Sequence, residues 1–247
     1  MAEQYGTTDD GRVKGPNAST WAGTRDADTG SSTHLTENSS ASFTRNSRFA
    51  SRGGGHIYRV ERSFIYFDTS GITGTVASAN FEIVGSTSGA NDGSMIAVKS
   101  DAFGGDGDTA LSTADFDAMP GWTDGASQAG NVTAYSAAFE SSSGTWSTNS
   151  QNNLAGTSDL LADMKNNDVV IVCFMDYTND YLNVALTSNA TLNLGGRFAE
   201  QSNINARPRI DYTLATGYEN AINGVAAANI GKVDGVATAD IEKIIGV

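Results

Sequence analysis

Nucleophilic catalysis by serine or cysteine needs a neighbouring base, and this chain offers two histidines, His34 and His56, with one cysteine, Cys173. His34 stands in a polar stretch and His56 follows three glycines; neither lies in a nucleophile motif. Cys173 sits inside the apolar run Val169 to Met175, where a thiol packs as a small inert hydrophobe. A hydrolytic triad is not expected. Paired carboxylates could serve glycoside hydrolysis if the fold brought them together, and Glu61, Glu82 and Glu140 fall on or beside expected strands. A glutamate on a strand's solvent face is the simpler reading. Asp101, Asp106 and Asp108 share a glycine-rich loop that could offer oxygens to Ca²⁺. That loop lacks the alternating ligands and closing glutamate of an EF-hand, so solvated loop acids are expected and neither a metal nor another cofactor is assigned. Asp176 to Tyr181 reads as an Asx-rich bend between strands.

Sugar binding would need exposed aromatic rings. Trp122, Tyr135, Trp146, Tyr177 and Tyr181 are the candidates, with core or loop anchoring as their simpler role. Nucleic-acid binding needs clustered cations, whereas 15 Lys and Arg are scattered along a chain of net charge −13. Nucleic acid is therefore not an expected partner. No segment is apolar enough to span a bilayer, and the first ten residues carry neither a basic nor an apolar signal region, so membrane insertion and signal-peptide export are not expected. With one cysteine, no internal disulfide can form.

Three regions would position these residues. Residues 1–55 are rich in Ser, Thr, Asn, Gly and Arg, a composition that buries too little apolar surface to offset its ordering entropy, and read as a polar N-terminal arm held by neighbouring chains. Residues 56–216 alternate short apolar runs with Gly, Asn and Asp clusters, which predicts an all-β sandwich or jelly roll. Strands are expected at Ile57 to Asp68, Ala77 to Val84, Met95 to Ser100, Val132 to Phe139, Val169 to Asp176, Asn189 to Leu194 and Arg207 to Leu214. Two helical turns should begin at Ser112 or Thr113 and at Thr157 or Ser158, each capped by a hydroxyl ahead of acidic first-turn residues.

Residues 217–247 repeat with a period of eleven. Ile222, Gly224, Val225, Ala226, Ala228, Ile230 and Lys232 recur as Val233, Gly235, Val236, Ala237, Ala239, Ile241 and Lys243, and Ile244, Gly246 and Val247 begin a third copy. So small a unit must pack on something else. The pattern predicts short helical turns linked by bends, a docking tail in which Ile222, Val225, Ile230, Val233, Val236, Ile241 and Ile244 meet a partner. Each burial is worth about 1.5–3 kcal/mol before ordering costs.

Several segments, in order, resemble the jelly-roll modules grouped with the DNRLRE domain and related β-sandwiches of bacteriophage virion proteins. They are the run Arg62 to Ser70, with Phe67 and Asp68; Ala79 to Ile83; Leu111 to Phe116; Trp146 to Leu154; and Arg207 to Tyr212. The resemblance spans roughly residues 40–214. The tail is also similar to C-terminal segments of phage structural proteins, while the acidic-arginine signature that names the DNRLRE domain is absent. The resemblance implies that Arg62 and Arg207 are framework residues; read from the residues alone, a buried or rim ion pair with Asp68 or Asp211 is their simpler role. It also implies a non-enzymatic virion component, a head decoration or tail appendage assembled in the host cytoplasm from copies of itself and other virion proteins. A carbohydrate-binding adhesin that grips host surface glycan through Trp122, Trp146, Tyr177 or Tyr181 is the alternative. A polysaccharide depolymerase comes third.

Overall fold

The computed structural model describes residues 2–7, 10–35, 41–86, 92–140, 145–198, 203–215, 232–233 and 236–237. Two antiparallel sheets pack face to face as a β-sandwich, the class that the strand spacing predicts. The smaller sheet runs in the order β1 (Ala2–Tyr5), β11 (Arg209–Leu214), β6 (Val76–Val84), β8 (Gln151–Ala155). The larger contains β10 (Ala190–Gly196), β4 (Ala41–Ser51), β5 (Gly55–Asp68), β2 (Gly11–Lys14) and β3 (Ser32–His34), with β9 (Val169–Met175) also paired to β5 and β7 (Ile96–Lys99) paired to β9.

β5 is the spine of the larger sheet. Its fourteen residues serve two partners in succession along one edge. β4 pairs from Gly55 to Glu61 and β9 from Ser63 to Asp68, while β2 lies on the other edge with Val13 opposite Arg62. Strand side chains alternate between faces, so β5 feeds two cores. Ile65 and Phe67 point between the sheets, where Phe43, Phe81, Phe174 and Leu194 are also buried. Val60 and Phe64 point the other way, into a second core that Val13, Phe103, Phe116, Met119, Ile171 and Cys173 share. The larger sheet is thus covered on both faces, which explains why β9 reads as an unbroken apolar run rather than an alternating one.

Most of the expected strands are present. The stretch 132–139 is instead a line of isolated bridges, Ala134 to Val98, Ser136 to Gly156 and Phe139 to Met95. Ser112 caps a short 3₁₀ turn (Thr113–Asp117) in a reciprocal capping box with Asp115, and Thr157 caps α2 (Ser158–Asn166).

Two regions depart from the sequence reading. The described part of residues 1–55 is not a separate arm. It contributes β1, β2, β3, β4 and α1 (Trp21–Arg25), each strand paired within its own chain. Those strands add mainly backbone hydrogen bonds, and β2 and β4 each bury a single large apolar residue, Val13 and Phe43. In the tail, the four described residues do not form helical turns. β12 (Lys232–Val233) and β13 (Val236–Ala237) pair antiparallel, Val233 opposite Val236. The two residues between them in sequence, Asp234 and Gly235, are a pair that favours two-residue hairpin connections.

Phe81 joins the sheets by contacting Phe67 at 6.1 Å and Phe174 at 5.4 Å between ring centroids. Phe81→Ala is expected to cost about 3–5 kcal/mol in urea unfolding. A loss under about 1 kcal/mol would show that the intersheet core does not depend on it.

Candidate functional site

The alternation along β5 places Arg62 between Val60 and Phe64, inside the second core. A guanidinium there must find partners, because an unpaired buried charge is strongly destabilising. The bend after β9 supplies them. Arg62 Nε donates to Asp180 Oδ2 at 2.7 Å and Nη2 to Asp180 Oδ1 at 2.8 Å, a bidentate pair. Two further bonds reach the carbonyls of Phe116 at 2.7 Å and Arg25 at 2.9 Å. The rings of Phe116 and Trp122 each lie 4.2 Å from the guanidinium carbon.

Arg25, at the end of α1, is equally buried and joins the same knot. Its Nε donates to the Asp180 carbonyl at 2.7 Å, Nη2 to the Ala126 carbonyl at 2.8 Å and Nη1 to Asp26, and its guanidinium lies 4.5 Å from the Trp122 ring centroid. Burial lowers the pKa of Arg25, against the pull of Asp180. Burial works the same way on Arg62, but the charge and hydrogen bonds of Asp180 outweigh it and the net shift is upward. The knot therefore fixes α1, β5, the 116–126 loop and the 177–181 bend to one another.

The bend begins at Asp176, whose Oδ1 accepts from the Asn179 amide at 2.6 Å and Oδ2 from the Ser94 amide at 3.1 Å. Burial pushes this carboxyl up to about 6, against those hydrogen bonds. Asp92, Glu140, Asp176 and Asn179 line a small open cleft of about 250 Å³. A larger cleft of about 580 Å³ opens beside Lys99, Tyr135 and Asp168. At its wall, Asp163 Oδ2 accepts from Lys99 Nζ at 2.8 Å and from the Tyr135 hydroxyl at 2.5 Å. Those bonds hold the Asp163 carboxyl low in spite of partial burial, and burial together with Asp163 raises the Tyr135 phenol, so at neutral pH the carboxylate is charged and the phenol keeps its proton.

The residues singled out by sequence are dispersed. Arg62 pairs with neither Asp68 nor Asp211: Asp68 is exposed and accepts from Ser70, and Asp211 pairs with Arg209 at 2.7 Å. The framework role lies with Asp180, in the stretch whose composition predicts an Asx-rich bend. Arg207 is half-buried just ahead of β11. Trp146 is buried and donates to the Gly195 carbonyl at 2.8 Å. Trp122 covers the two arginines, and Tyr181 is buried with half-buried Tyr177 stacked 5.7 Å away.

His34 lies on β3 and His56 on the exposed hairpin, so the two histidines occupy separate strands. Cys173 is fully buried, which pushes its thiol up. Glu61 binds Arg12 and Arg45, Glu82 accepts from Asn153, and Glu140 faces the small cleft. Asp106 accepts from the Asp108 amide at 3.0 Å, and among the described residues no group of three or more His, Cys, Asp or Glu is placed to hold a metal. Of the docking positions, Val233 and Val236 pair across the tail hairpin, while Ile222, Val225, Ile230, Ile241 and Ile244 lie outside the described residues.

Arg25, Asp163 and Asp180 were not singled out from sequence. Their chemistry depends on partners up to 155 positions away, as for Arg25 and Asp180. No family model matches the chain, and no curated protein matches it.

Because the Asp176 carboxyl is raised from 3.8 to about 6 on folding, the folded state holds more protons than the unfolded state between those values. This group's contribution to stability therefore falls as pH rises from 4 through 6, by roughly 2–3 kcal/mol in all. Urea unfolding across pH 4–7 should show that segment flattened in Asp176→Asn relative to the parent chain. Parallel profiles would contradict the assignment.

Proposed function

We propose that this chain is a non-enzymatic structural protein of a bacteriophage virion, a β-sandwich fastened to its neighbours through its C-terminal repeats. The observation that carries this reading is the tail: an eleven-residue repeat attached to a sandwich whose buried ion pairs hold its own fold together. Within that tail, Val233 and Val236 belong to a two-strand ladder, a unit too small to be stable alone. Such a unit gains stability by docking on a partner. The order of the family-like segments also supports the reading, since Ala79 to Ile83 and Arg209 to Tyr212 fall on the paired strands β6 and β11, and Arg62 to Asp68 falls on β5 of the facing sheet. Symmetric assembly multiplies a modest contact per subunit into a stable particle.

Glycan binding is the competing reading, and half-buried Tyr177 at the 177–181 bend is its strongest support. It too needs no covalent chemistry.

Ile230→Asp combined with Ile241→Asp is expected to abolish incorporation into particles while leaving the far-ultraviolet circular dichroism of the sandwich unchanged. Particle composition by mass spectrometry reads the result. Normal incorporation of the double variant would overturn the tail's role. Glycan-array binding by that variant would favour the adhesin.

A further inference from the structure

The cations that look scattered in sequence are gathered in space. Residues 41–60 contain four arginines and no acidic residue, in a chain of net charge −13. The register of the larger sheet brings Arg45 and Arg59 beside β2, whereas Arg48 alternates to the other face, over Tyr58, and Arg52 lies exposed in the turn between β4 and β5. Arg45, Glu61 and Lys14 stand in one row across three strands, with Arg59 two residues away on β5 and Arg12 two residues away on β2. Alternation puts all five on one face.

That is the face whose later residues, Ile65 and Phe67, enter the intersheet core. No residue of β5 before Ile65 belongs to that core. The hairpin end of this face carries a partly exposed cation cluster around a single carboxylate. Burial first, then the neighbouring Arg59, Arg45 and Arg12, lower the pKa of Lys14, as expected of crowded like charges. Exposed Phe49 lies under Arg59, with 5.6 Å from the guanidinium to the ring centroid.

The loops that cover the opposite face of the same sheet have the opposite sign. Residues 101–124 contain six aspartates and no lysine or arginine. Their loops carry Phe103, Phe116 and Met119 into the second core, so they cover the face that Val60 and Phe64 point into. Asp28, Asp106, Asp108 and Asp124 are exposed there. Burial first, then Asp28 and Asp124, raise the pKa of Asp117, the acidic counterpart of the Lys14 cluster.

We infer that these two faces are complementary, and that the cationic face around Lys14, Arg45 and Arg59 docks on the aspartate-rich loops of a second copy of this chain. A sheet separates the two patches, so they cannot neutralise each other within one copy. Pairing between copies brings opposite charges together and leaves the same two faces open at the ends. A contact of this heterologous kind propagates head to tail into a ring or a filament. The inference rests on the structural reading proposed above and supplies a subunit contact separate from the tail.

The test uses the full chain and reads mass by light scattering. The parent should exceed the monomer mass at low salt and fall towards it near 0.3 M salt, where the Debye length is about 6 Å. Arg52→Glu with Arg59→Glu reverses the hairpin, and Asp28→Lys with Asp108→Lys reverses the loops. Each double variant alone should be a folded monomer at low salt, and an equimolar mixture should recover mass, because each reversed face then meets its complement. A monomeric parent at low salt overturns the inference. So do variants that retain the parent mass, and a mixture that stays monomeric. Hairpin-dependent binding to heparin or DNA, without self-association, overturns it in favour of a polyanion ligand.

Failure here is distinguishable from failure of the tail. If charge reversal leaves mass unchanged while Ile230→Asp with Ile241→Asp still blocks incorporation, only the face pairing falls. If that tail variant incorporates normally, the tail's role falls whatever the charge variants do.

Discussion

The Arg62–Asp180 pair is the constraint on which the second core depends. A guanidinium pointing into an apolar layer must be matched bidentately, and its remaining donors must find carbonyls. Meeting those demands fixes where four separate pieces of chain lie. The C-terminus of α1 offers the Arg25 carbonyl, the 3₁₀ turn offers the Phe116 carbonyl, the Trp122 ring covers the charges, and the bend after β9 presents Asp180. Each piece alone is a polar loop with little to bury. Together they form a second layer over the larger sheet.

This arrangement accounts for the unusual load on β5. The strand gives one face to the intersheet core and the other to the loop layer. Its hairpin end, beyond the intersheet core, carries cations. The buried pair lies at the transition between β4 and β9 along its edge, close to where β2 crosses on the other side. The N-terminal segment is drawn into the fold by the same contact, through Arg25 and through the pairing of β2 with β5.

Much of the sandwich was legible because its core strands announce themselves. β9 is a continuous apolar run, β6 and β11 carry evident alternation, and the hydroxyl caps at Ser112 and Thr157 begin the turns they should. The N-terminal strands were not legible, for a physical reason. A strand that supplies backbone hydrogen bonds and one apolar side chain, such as Val13 on β2, has no periodicity to detect. Asp180 was hidden differently: an aspartate in an Asn- and Thr-containing bend is what any solvent turn would show. Only the fold reveals that it is fully buried against Arg62. The scattered look of the cations failed for the same reason, since register rather than sequence distance sets their spacing.

The functional proposal follows from where polar groups are used. Arg25, Arg62, Asp163, Asp180 and Arg209 are committed to internal pairs. Among the other charges, Lys14, Arg45 and Arg59 share one face of the larger sheet, and the aspartates of residues 101–124 lie in the loops over the other. The most direct test of this account is a double-mutant cycle on the buried pair, read by urea unfolding of Arg62→Met, Asp180→Leu and the combination. Each single change should cost about 3–5 kcal/mol by leaving one buried charge unpaired, and the double change should cost far less than their sum. Single changes within about 0.5 kcal/mol of the parent, or strictly additive losses, would contradict it.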